Sequence, residues 1–337
     1  MSLASVEGQA FARAGLLGNP SDGYFGRALS VVLRDFKATV TLEESADLRI
    51  EPDPGDLEVF ESLEHLAESV RRQGYYGGVR LVKATIRVFY DYCRAGGLAL
   101  PSHNFTARYG SSIPRQVGLG GSSAIVTAAL RAMMDFYEVE IPRKLQPNLI
   151  LSAELDELGI TAGLQDSVVQ VYEGLVYMDF SRPVMEELGH GDYEPLDPAL
   201  LPRVFLAHQV GPAKVSGGVL NDVRARWERG DAHVQETLDG IAALATKGRD
   251  ALLQGNHEIL SSLVNENLDL RRRIMPLAEG DLAMVETARR LGASAKLAGS
   301  GGAVIGVVET DAMMREVAGE LGALGVRVLE PTTRSPA

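Results

Sequence analysis

Apolar residues follow different periods in successive segments of the chain, and these periods predict both strands and helices. Stretches rich in valine and threonine at 28–33 and 37–42 predict a pair of strands, and a short apolar stretch at 11–17 precedes them. Apolar residues then recur at helical spacing over 57–73, and a second helical pattern covers 79–94. This part of the chain is therefore expected to combine a sheet with helices.

The mixture continues to the end of the chain. We expect further strands at 104–109, 174–180, 203–210, 303–308 and 326–329. We expect further helices at 122–137, 143–157, 216–229, 231–254, 256–274, 281–291 and 312–324, with Pro142 in the first turn of the second. Because helices and strands do not alternate with the regular period of a doubly wound sheet, the pattern favours two α+β domains.

The composition changes between 181 and 202, where four prolines stand among glycines and acidic residues. Such a stretch is typical of a connection between folded parts. We therefore expect a linker at 186–202 between an N-terminal domain at 1–185 and a C-terminal domain at 203–333.

The overall composition narrows the class of protein. The 337 residues are 45% hydrophobic and 23% charged, as in ordinary globular proteins. A net charge of −12 argues against a nucleic-acid partner and against an anionic membrane surface. The single Cys93 excludes an internal disulfide framework, and the sequence contains neither a signal-peptide pattern nor a membrane-spanning run. We expect a cytoplasmic protein, monomeric or homodimeric, that acts on small molecules.

A glycine-rich loop carries the clearest chemical signal, with the sequence Pro-Arg-Gln-Val-Gly-Leu-Gly-Gly-Ser-Ser-Ala at 114–124. Glycines allow backbone N–H groups to converge on an anion, and a helix beginning at Ser122 adds its free N-terminal N–H groups. The serine hydroxyls stand where a phosphate-bound Mg²⁺ needs an oxygen ligand. The loop therefore predicts a phosphate cradle, and the alternative is a plain turn before a helix.

Two common phosphate motifs do not match this loop. No Gly-Lys-Ser/Thr follows it, which excludes a Walker A motif, and Ser123 stands where a dinucleotide-binding fingerprint needs its third glycine. The loop instead resembles the second motif of the GHMP kinases. Residues 13–22 resemble the first motif of that family, and residues 296–303 resemble its third motif, in the same order along the chain.

The resemblance implies the two-domain α+β GHMP-kinase fold, in which a ribosomal-protein-S5-domain-2-like N-terminal domain precedes a ferredoxin-like C-terminal domain. It also implies phosphoryl transfer from ATP with Mg²⁺. The strings at 15–26, 113–126 and 267–272 resemble the glucuronokinase branch, which implies that the anomeric hydroxyl of D-glucuronate is the acceptor. Another hexose or uronic acid, such as galactose or galacturonate, stays open as the substrate, and so does a non-catalytic sensor that binds ATP and sugar.

The resemblance assigns two catalytic residues. Asp166 matches the family's catalytic aspartate, which takes or orients the proton of the sugar hydroxyl, and Arg13 matches the basic residue that pairs with it. The residues alone allow a second interpretation of each. Asp166 could cap a helix that starts near Ser167, and Arg13 could be an ordinary surface charge.

The resemblance places ATP and the metal on the glycine-rich loop. The residues expected to bind ATP are Gln116, Gly118, Leu119, Gly120, Gly121, Ser122, Ser123 and Ala124. Glu154 matches the glutamate that holds Mg²⁺ together with a loop serine, which assigns the metal to Ser123 and Glu154, with Ser122 as the second choice. Asp156 and Glu157 are expected on a solvated face.

The first motif is expected to bind the sugar. Asp22 matches the aspartate that hydrogen-bonds sugar hydroxyls, and Asn19, Ser21 and Tyr24 belong to the same turn. Without the resemblance, these residues predict a turn and nothing more.

The third motif and a group of cations complete the predicted site. The loop 299–302 should lie beside the phosphate and the substrate, with Gly301 in contact with the substrate, and Lys296 is expected at the solvated end of a strand. A uronate carboxylate needs a fixed cation, for which arginine is best suited. The candidates are Arg271, Arg272, Lys214 and Arg115. Positions 271–273 cannot all face one pocket, so part of this run should be solvated.

Overall fold

A computed structural model of the chain describes residues 5–56, 62–64, 77–210 and 217–335. Most of the helix predicted at 57–73, and Lys214, lie outside the described residues. The chain divides into two compact units that are interleaved along the sequence. The first unit comprises Met1–Ala12, Phe36–Ile113 and Gly121–Val171, and the second comprises Arg13–Asp35, Pro114–Gly120 and Tyr172–Ala337.

The first unit contains a sheet whose strands meet through long antiparallel pairing. Strand β1 (Ser5–Leu17) begins here, and the second half of β2 (Arg27–Ser45) belongs here. This half of β2 pairs antiparallel with β4 (Asn104–Ser111), in a register that sets Ala38 opposite Ser111. The short β3 (Arg49–Ile50) pairs parallel with β4.

Helices accompany this sheet, and their bounds are α1 (Gly78–Ala95), α2 (Gly121–Phe136), α3 (Gln146–Leu155) and α4 (Leu164–Tyr172). Helix α2 is apolar around most of its circumference. It is accordingly buried along nearly its whole length. A Cβ atom on Gly8 would collide with the backbone of Ala128, so β1 lies directly against α2. Helix α3 starts later than predicted, with Pro147 rather than Pro142 in its first turn.

Strand β2 differs from its prediction, since it is one continuous strand of 19 residues instead of two strands joined by a turn. The polar residues that suggested the turn have partners beside the extended chain. Arg34 donates to the carbonyl of Glu173 at 3.0 Å, and the carboxylate of Asp35 accepts from the N–H of Thr332 at 2.8 Å. With neither glycine nor proline at 34–36, the strand has no reason to break.

The first half of β2 belongs to the second unit. It pairs antiparallel with β5 (Leu175–Asp179), which in turn pairs with β6 (Asp192–Leu196). The short helix α5 (Arg182–Leu188) connects β5 to β6. The segment expected to be a linker thus contains a strand and the 3₁₀ turn Pro198–Leu200, and proline is tolerated in β6 because β6 is an edge strand. The domain boundaries stay a prediction.

The rest of the second unit is a four-stranded antiparallel sheet covered by helices. The strand order is β10-β7-β9-β8, with β7 (Val204–Gln209), β8 (Lys296–Leu297), β9 (Ala303–Val307) and β10 (Val326–Leu329). The helices are α6 (Gly217–Glu228), α7 (Ala232–Leu253), α8 (His257–Ile274), α9 (Glu279–Arg290) and α10 (Asp311–Ala323).

Apolar side chains from this sheet and its helices form one buried core. Phe205 of β7, Leu268 of α8, Met284 of α9 and Val317 of α10 are all fully buried within it. The arrangement of both units confirms the predicted α+β class. None of the helices in the described residues is long and apolar enough to cross a membrane.

Candidate active site

The residues predicted for the site are distributed over both units. In the first unit, Ser123 lies in the first turn of α2 and Glu154 lies near the end of α3. The Ser123 hydroxyl donates a hydrogen bond of 2.7 Å to Oε2 of Glu154, and both side chains are buried. The structure therefore brings together the two residues assigned to the metal.

This pair fits Mg²⁺, because a hydroxyl and a carboxylate are the hard oxygen ligands that this ion prefers. No cluster of three or more His, Cys, Asp or Glu residues suited to a metal occurs in the described part of the chain. Mg²⁺ in phosphoryl-transfer sites is commonly held by one or two protein ligands together with phosphate oxygens and water. Ser123 and Glu154 would supply two protein ligands, which is within this usual number.

Asp166 occupies the first turn of α4, whose first residue is Leu164. The helix begins before Asp166, and the Ser167 hydroxyl donates to the carbonyl of Leu164 at 3.0 Å. Asp166 is therefore not the cap of a helix starting near Ser167. Its role toward the sugar hydroxyl stays a prediction.

In the second unit, the glycine-rich loop and the third motif are in backbone contact. Gly118 has φ +69°, and a Cβ atom there would lie 2.8 Å from the carbonyl oxygen of Gly301 and from the N–H of Ser300. A Cβ atom on Gly299 would collide with the carbonyl of Gly118. Such an approach is possible only between glycines, which confirms that the two loops lie side by side.

Arg13 is buried against both loops. Its Nη1 donates to the carbonyl of Gly118 at 2.7 Å and to that of Ala298 at 3.3 Å. Its backbone N–H donates to the carbonyl of Leu119 at 3.1 Å. Arg13 is therefore no ordinary surface charge, and its pairing with Asp166 stays a prediction.

Lys296 corrects another expectation, since it is fully buried rather than solvated. Its ammonium donates to the carbonyls of Gly15 and Leu297, at 2.8 and 2.9 Å, and to Oδ1 of Asn19. Burial lowers the pKa of Lys296 well below its usual value, and the charges of Arg271 and Arg13 lower it further. The residue connects β8 to the turn expected to bind the sugar.

Asn267 of α8 supports the same turn, and this role was not predicted from the sequence. Its Oδ1 accepts from the N–H of Gly18 at 2.7 Å, and its Nδ2 donates to the carbonyl of Asn19 at 3.1 Å. The only sequence signal was the family-like string at 267–272. Within the turn, Ser21 donates to the carbonyl of Arg27 at 3.0 Å.

Asp22 and Tyr24 occupy the next positions of the turn. Asp22 is buried and Tyr24 is half-buried. Burial raises the pKa of Tyr24, the nearby Arg224 lowers it, and Asp22 raises it. The turn thus holds an acid and an aromatic ring close together.

Arg271 lies beneath the third motif, fully buried at the end of α8. Its Nη1 and Nη2 donate to the carbonyls of Gly299 and Ser300 at 2.7 and 3.3 Å, and its Nε donates to Sδ of Met275 at 3.1 Å. Burial lowers its pKa to about 10, against the opposing effects of Asp281 and Asp22. All three nitrogens thus donate hydrogen bonds within the protein. Arg272 and Arg273 are exposed, as the spacing predicted.

Asp281 of α9 is a further buried acid that the sequence did not reveal. Its Oδ1 accepts from the N–H of Gly302 at 2.9 Å and from Nε2 of Gln209 at 3.3 Å. Burial raises its pKa, whereas Gly302 and Arg271 lower it. Together with Arg271, it fixes the backbone of the third motif.

The remaining loop residues have left-handed backbone or lie at the start of a helix, and their role as a phosphate cradle stays a prediction. Gln116 and Gly120 both have positive φ, of 57° and 74°. Oε1 of Gln116 is buried without a hydrogen-bond partner among the described residues. Gly121, Ser122 and Ala124 belong to the first turn of α2, where backbone N–H groups point away from the helix.

Comparisons with known proteins show to which family the chain belongs. The family model described as the GHMP kinases N terminal domain matches residues 80–174, and the model described as GHMP kinases C terminal matches residues 249–328. Glucuronokinase 1 of Arabidopsis thaliana is 49% identical over 308 residues, which cover 90% of this chain and 84% of that protein. Probable glucuronokinase 2 of the same plant is also 49% identical, over 89% of this chain and 83% of that protein.

A solved structure shares the fold. Galactokinase of Lactococcus lactis, crystallised with galactose, superposes with a TM-score of 0.76 at 16% identity, over 98% of this chain and 94% of that chain. At this level of identity the likeness concerns the fold alone. The family models and the two plant relatives show that the chain belongs to the GHMP kinase family.

Proposed function

We propose that this protein transfers the γ-phosphoryl group of ATP to the anomeric hydroxyl of D-glucuronate, giving D-glucuronate 1-phosphate and ADP. Membership of a kinase family makes ATP the phosphoryl donor. The substrate rests on the two plant relatives, both named for glucuronokinase activity and both similar over most of the chain.

The observation that carries the catalytic part of the proposal is the buried hydrogen bond between Ser123 and Glu154. It sets a hydroxyl and a carboxylate side by side directly after the glycine-rich loop. A carboxylate beside the first turn of α2 would repel a phosphate bound there unless a cation lay between them, so this pair supports a metal-assisted transfer.

The proposal gives each predicted site residue one role. Ser123 and Glu154 would hold Mg²⁺, which neutralises phosphate charge during transfer. The loop 116–124 supplies backbone N–H groups to the phosphates of ATP. Asp166 accepts or orients the proton of the sugar hydroxyl, with Arg13 as its partner, and Asp22 binds sugar hydroxyls.

We further propose a cytoplasmic location for this activity, with ATP and a sugar acid as its small-molecule partners. The single cysteine, Cys93, excludes an internal disulfide framework, which suits a reducing compartment.

The test is a substrate panel. Purified protein with Mg²⁺ and ATP is offered glucuronate, galacturonate, galactose and glucose, and both ADP release and the phosphorylated product are measured. We expect glucuronate to give the highest kcat/KM and the product to carry its phosphate at the anomeric carbon. If none of the sugars in the panel led to ADP release, the proposed kinase activity would be refuted. If galactose were phosphorylated and glucuronate were not, the proposed substrate would be refuted.

A further inference from the structure

A cluster of rings and guanidinium groups surrounds the turn that carries Asp22. We define the aromatic–arginine cluster as Tyr24, Phe25, Arg182, Arg224 and Trp227. The ring of Tyr24 meets that of Trp227 edge to face at 5.5 Å, and Cζ of Arg224 lies 5.2 Å from the centre of the Tyr24 ring. Cζ of Arg182 lies 4.0 Å from the centre of the Phe25 ring. All five residues belong to the second unit.

Arg224 has N–H donors that none of the described residues accepts from. Its Nη2 donates to the carbonyl of Gly23 at 3.2 Å. Its Nε is buried without an acceptor, and in the described ranges Nη1 makes no hydrogen bond and no carboxylate lies within ion-pair distance. Arg226, two residues further along the same helix, shows the usual arrangement, because its Nε is paired with Asp231 at 3.0 Å.

A half-buried guanidinium without an anion is costly, because burial removes water from a charge and from its donors. The Tyr24 ring compensates for part of this cost and holds the guanidinium in place. The unused donors are those that a carboxylate accepts from most strongly. The arrangement is that of a site prepared for an anion that is not part of the protein.

The other cations predicted for a uronate carboxylate are less suitable. The three nitrogens of Arg271 donate to Gly299, Ser300 and Met275. Arg272 is exposed on α8, and so is Arg115 on the glycine-rich loop. An exposed arginine loses more side-chain entropy when it binds a carboxylate, and water screens its charge. It therefore binds a carboxylate more weakly than a half-buried arginine that is already held against a ring.

The position of Arg224 suits a sugar acid bound by Asp22. Gly23, whose carbonyl accepts from Arg224, follows Asp22 directly in the chain. Arg224 lowers the pKa of Tyr24, and Asp22 and Glu228 raise it, so the guanidinium and the Asp22 carboxylate both lie near this ring. A hexuronic acid carries its carboxylate one bond from a ring whose hydroxyls Asp22 would bind, so both groups must lie within the width of one sugar.

We propose that Arg224 binds the carboxylate of the sugar acid and thereby determines the preference for a uronic acid over a neutral sugar. This inference rests on the proposed function. Arg182 shares the aromatic–arginine cluster but lies over Phe25 on an exposed position, so it provides the matched control.

The experiment compares D-glucuronate with D-glucuronamide, which has the same ring and hydroxyls but no negative charge. We expect the unaltered protein to prefer glucuronate in kcat/KM by roughly 10- to 100-fold, the range for one charged hydrogen-bonded pair. Arg224→Gln should abolish this preference by raising KM for glucuronate, while KM for ATP stays unchanged. Arg182→Gln should retain the full preference.

Each other outcome is decisive. An unchanged preference in Arg224→Gln, or its loss in Arg182→Gln instead, overturns the role of Arg224. If the unaltered protein turns over no glucuronate, the proposed function fails before the variants are compared. Should Arg224→Gln not fold, Arg224→Lys decides, because it keeps the charge and loses the planar fork. We expect Arg224→Lys to have a reduced preference with an unchanged KM for ATP, and a full preference there would equally overturn the proposal.

Discussion

Glu154 is the residue whose charge matters most to the proposed metal, since Ser123 contributes only a neutral hydroxyl. Glu154→Gln keeps the size of the side chain and an oxygen that can accept from Ser123, but it removes the charge. We expect the Mg²⁺ concentration for half-maximal activity to rise by at least about 10- to 100-fold. A Mg²⁺ titration at saturating ATP measures this. Asp156→Asn, exposed on the following turn, should leave the titration unchanged.

Asp166→Asn tests the proposed base. The amide cannot accept a proton from the sugar hydroxyl, so kcat should fall by roughly 10²- to 10⁴-fold. ATP binding, measured by calorimetry, should be retained, because the loop and the metal pair are unaltered. Near-normal turnover would remove Asp166 from the mechanism.

Lys296 gives the free energy of unfolding a pH dependence. The pKa of Lys296 in the folded protein is well below the ordinary value of 10.5. At pH values between the folded and the unfolded pKa, the unfolded chain therefore keeps a proton on Lys296 that the folded protein has lost. Stability should therefore rise with pH across that window. We expect urea denaturation at roughly pH 7 and pH 9 to show this rise, and Lys296→Gln to reduce it. Lys247→Gln, at an exposed position, is the control, and an equal rise in both variants would contradict the assignment.

The burial of Arg13 and Lys296 could not be predicted from the sequence. Arg13 and Lys296 were considered as surface charges because a charged residue near the end of a strand usually faces water. Their burial depends on carbonyl acceptors supplied by chain segments far apart in sequence, such as Gly118 for Arg13 and Gly15 for Lys296. Periodicity within one element carries no information about such partners.

At the scale of elements, the contact between the two glycine loops is the feature most open to test. Gly299→Ala places a methyl group against the carbonyl of Gly118 and 2.9 Å from Nη1 of Arg13. We expect the free energy of unfolding to fall by about 1–3 kcal/mol, as in other overpacked sites, and KM for ATP to rise. Denaturant titration and steady-state kinetics measure the two effects.

Gly319 provides the opposite case on the exposed side of α10, where an added Cβ atom meets nothing within 4 Å. Gly319→Ala should raise the free energy of unfolding by about 0.5–1 kcal/mol, because alanine loses less backbone entropy in a helix. KM for ATP should not change. A loss of stability in both variants would show that the loop contact is not the cause.

Helices and strands with a clear period were predicted well, and the exceptions have local causes. The helices of the second unit, α6, α7 and α8, match their predicted spans closely. Strand β2 was divided in two because Arg34 and Asp35 interrupt its apolar pattern. Strand β6 was missed because Pro195 and the prolines around the strand suggested a linker, although an edge strand accommodates a proline.

At the scale of the whole molecule, ligand binding should appear as added stability. Mg²⁺ with ATP at about 100 times its Kd should add roughly 2.7 kcal/mol to the free energy of unfolding, and the melting temperature should rise with concentration. Scanning calorimetry measures this rise. Adenosine, which has no phosphates for the glycine-rich loop, should give much less, and equal shifts would contradict a phosphate cradle.

The division of the chain into units is the property that the sequence revealed least. A change of composition predicts boundaries between consecutive segments, whereas the two units interleave three segments each. Strand β2 passes from one unit to the other without a break in its pattern. Motif order identified the family without any knowledge of this arrangement.

The burial of Lys296 also allows local unfolding to be measured by the chemical reactivity of its amine. Lys296 is one of six lysines, and the other four that the structure describes are exposed. Amine-directed reagents should therefore label those four in the native state and reach Lys296 only when β8 separates from the turn around Asn19. Mass spectrometry of that single peptide would follow the opening of the turn predicted to bind the sugar, without an introduced probe.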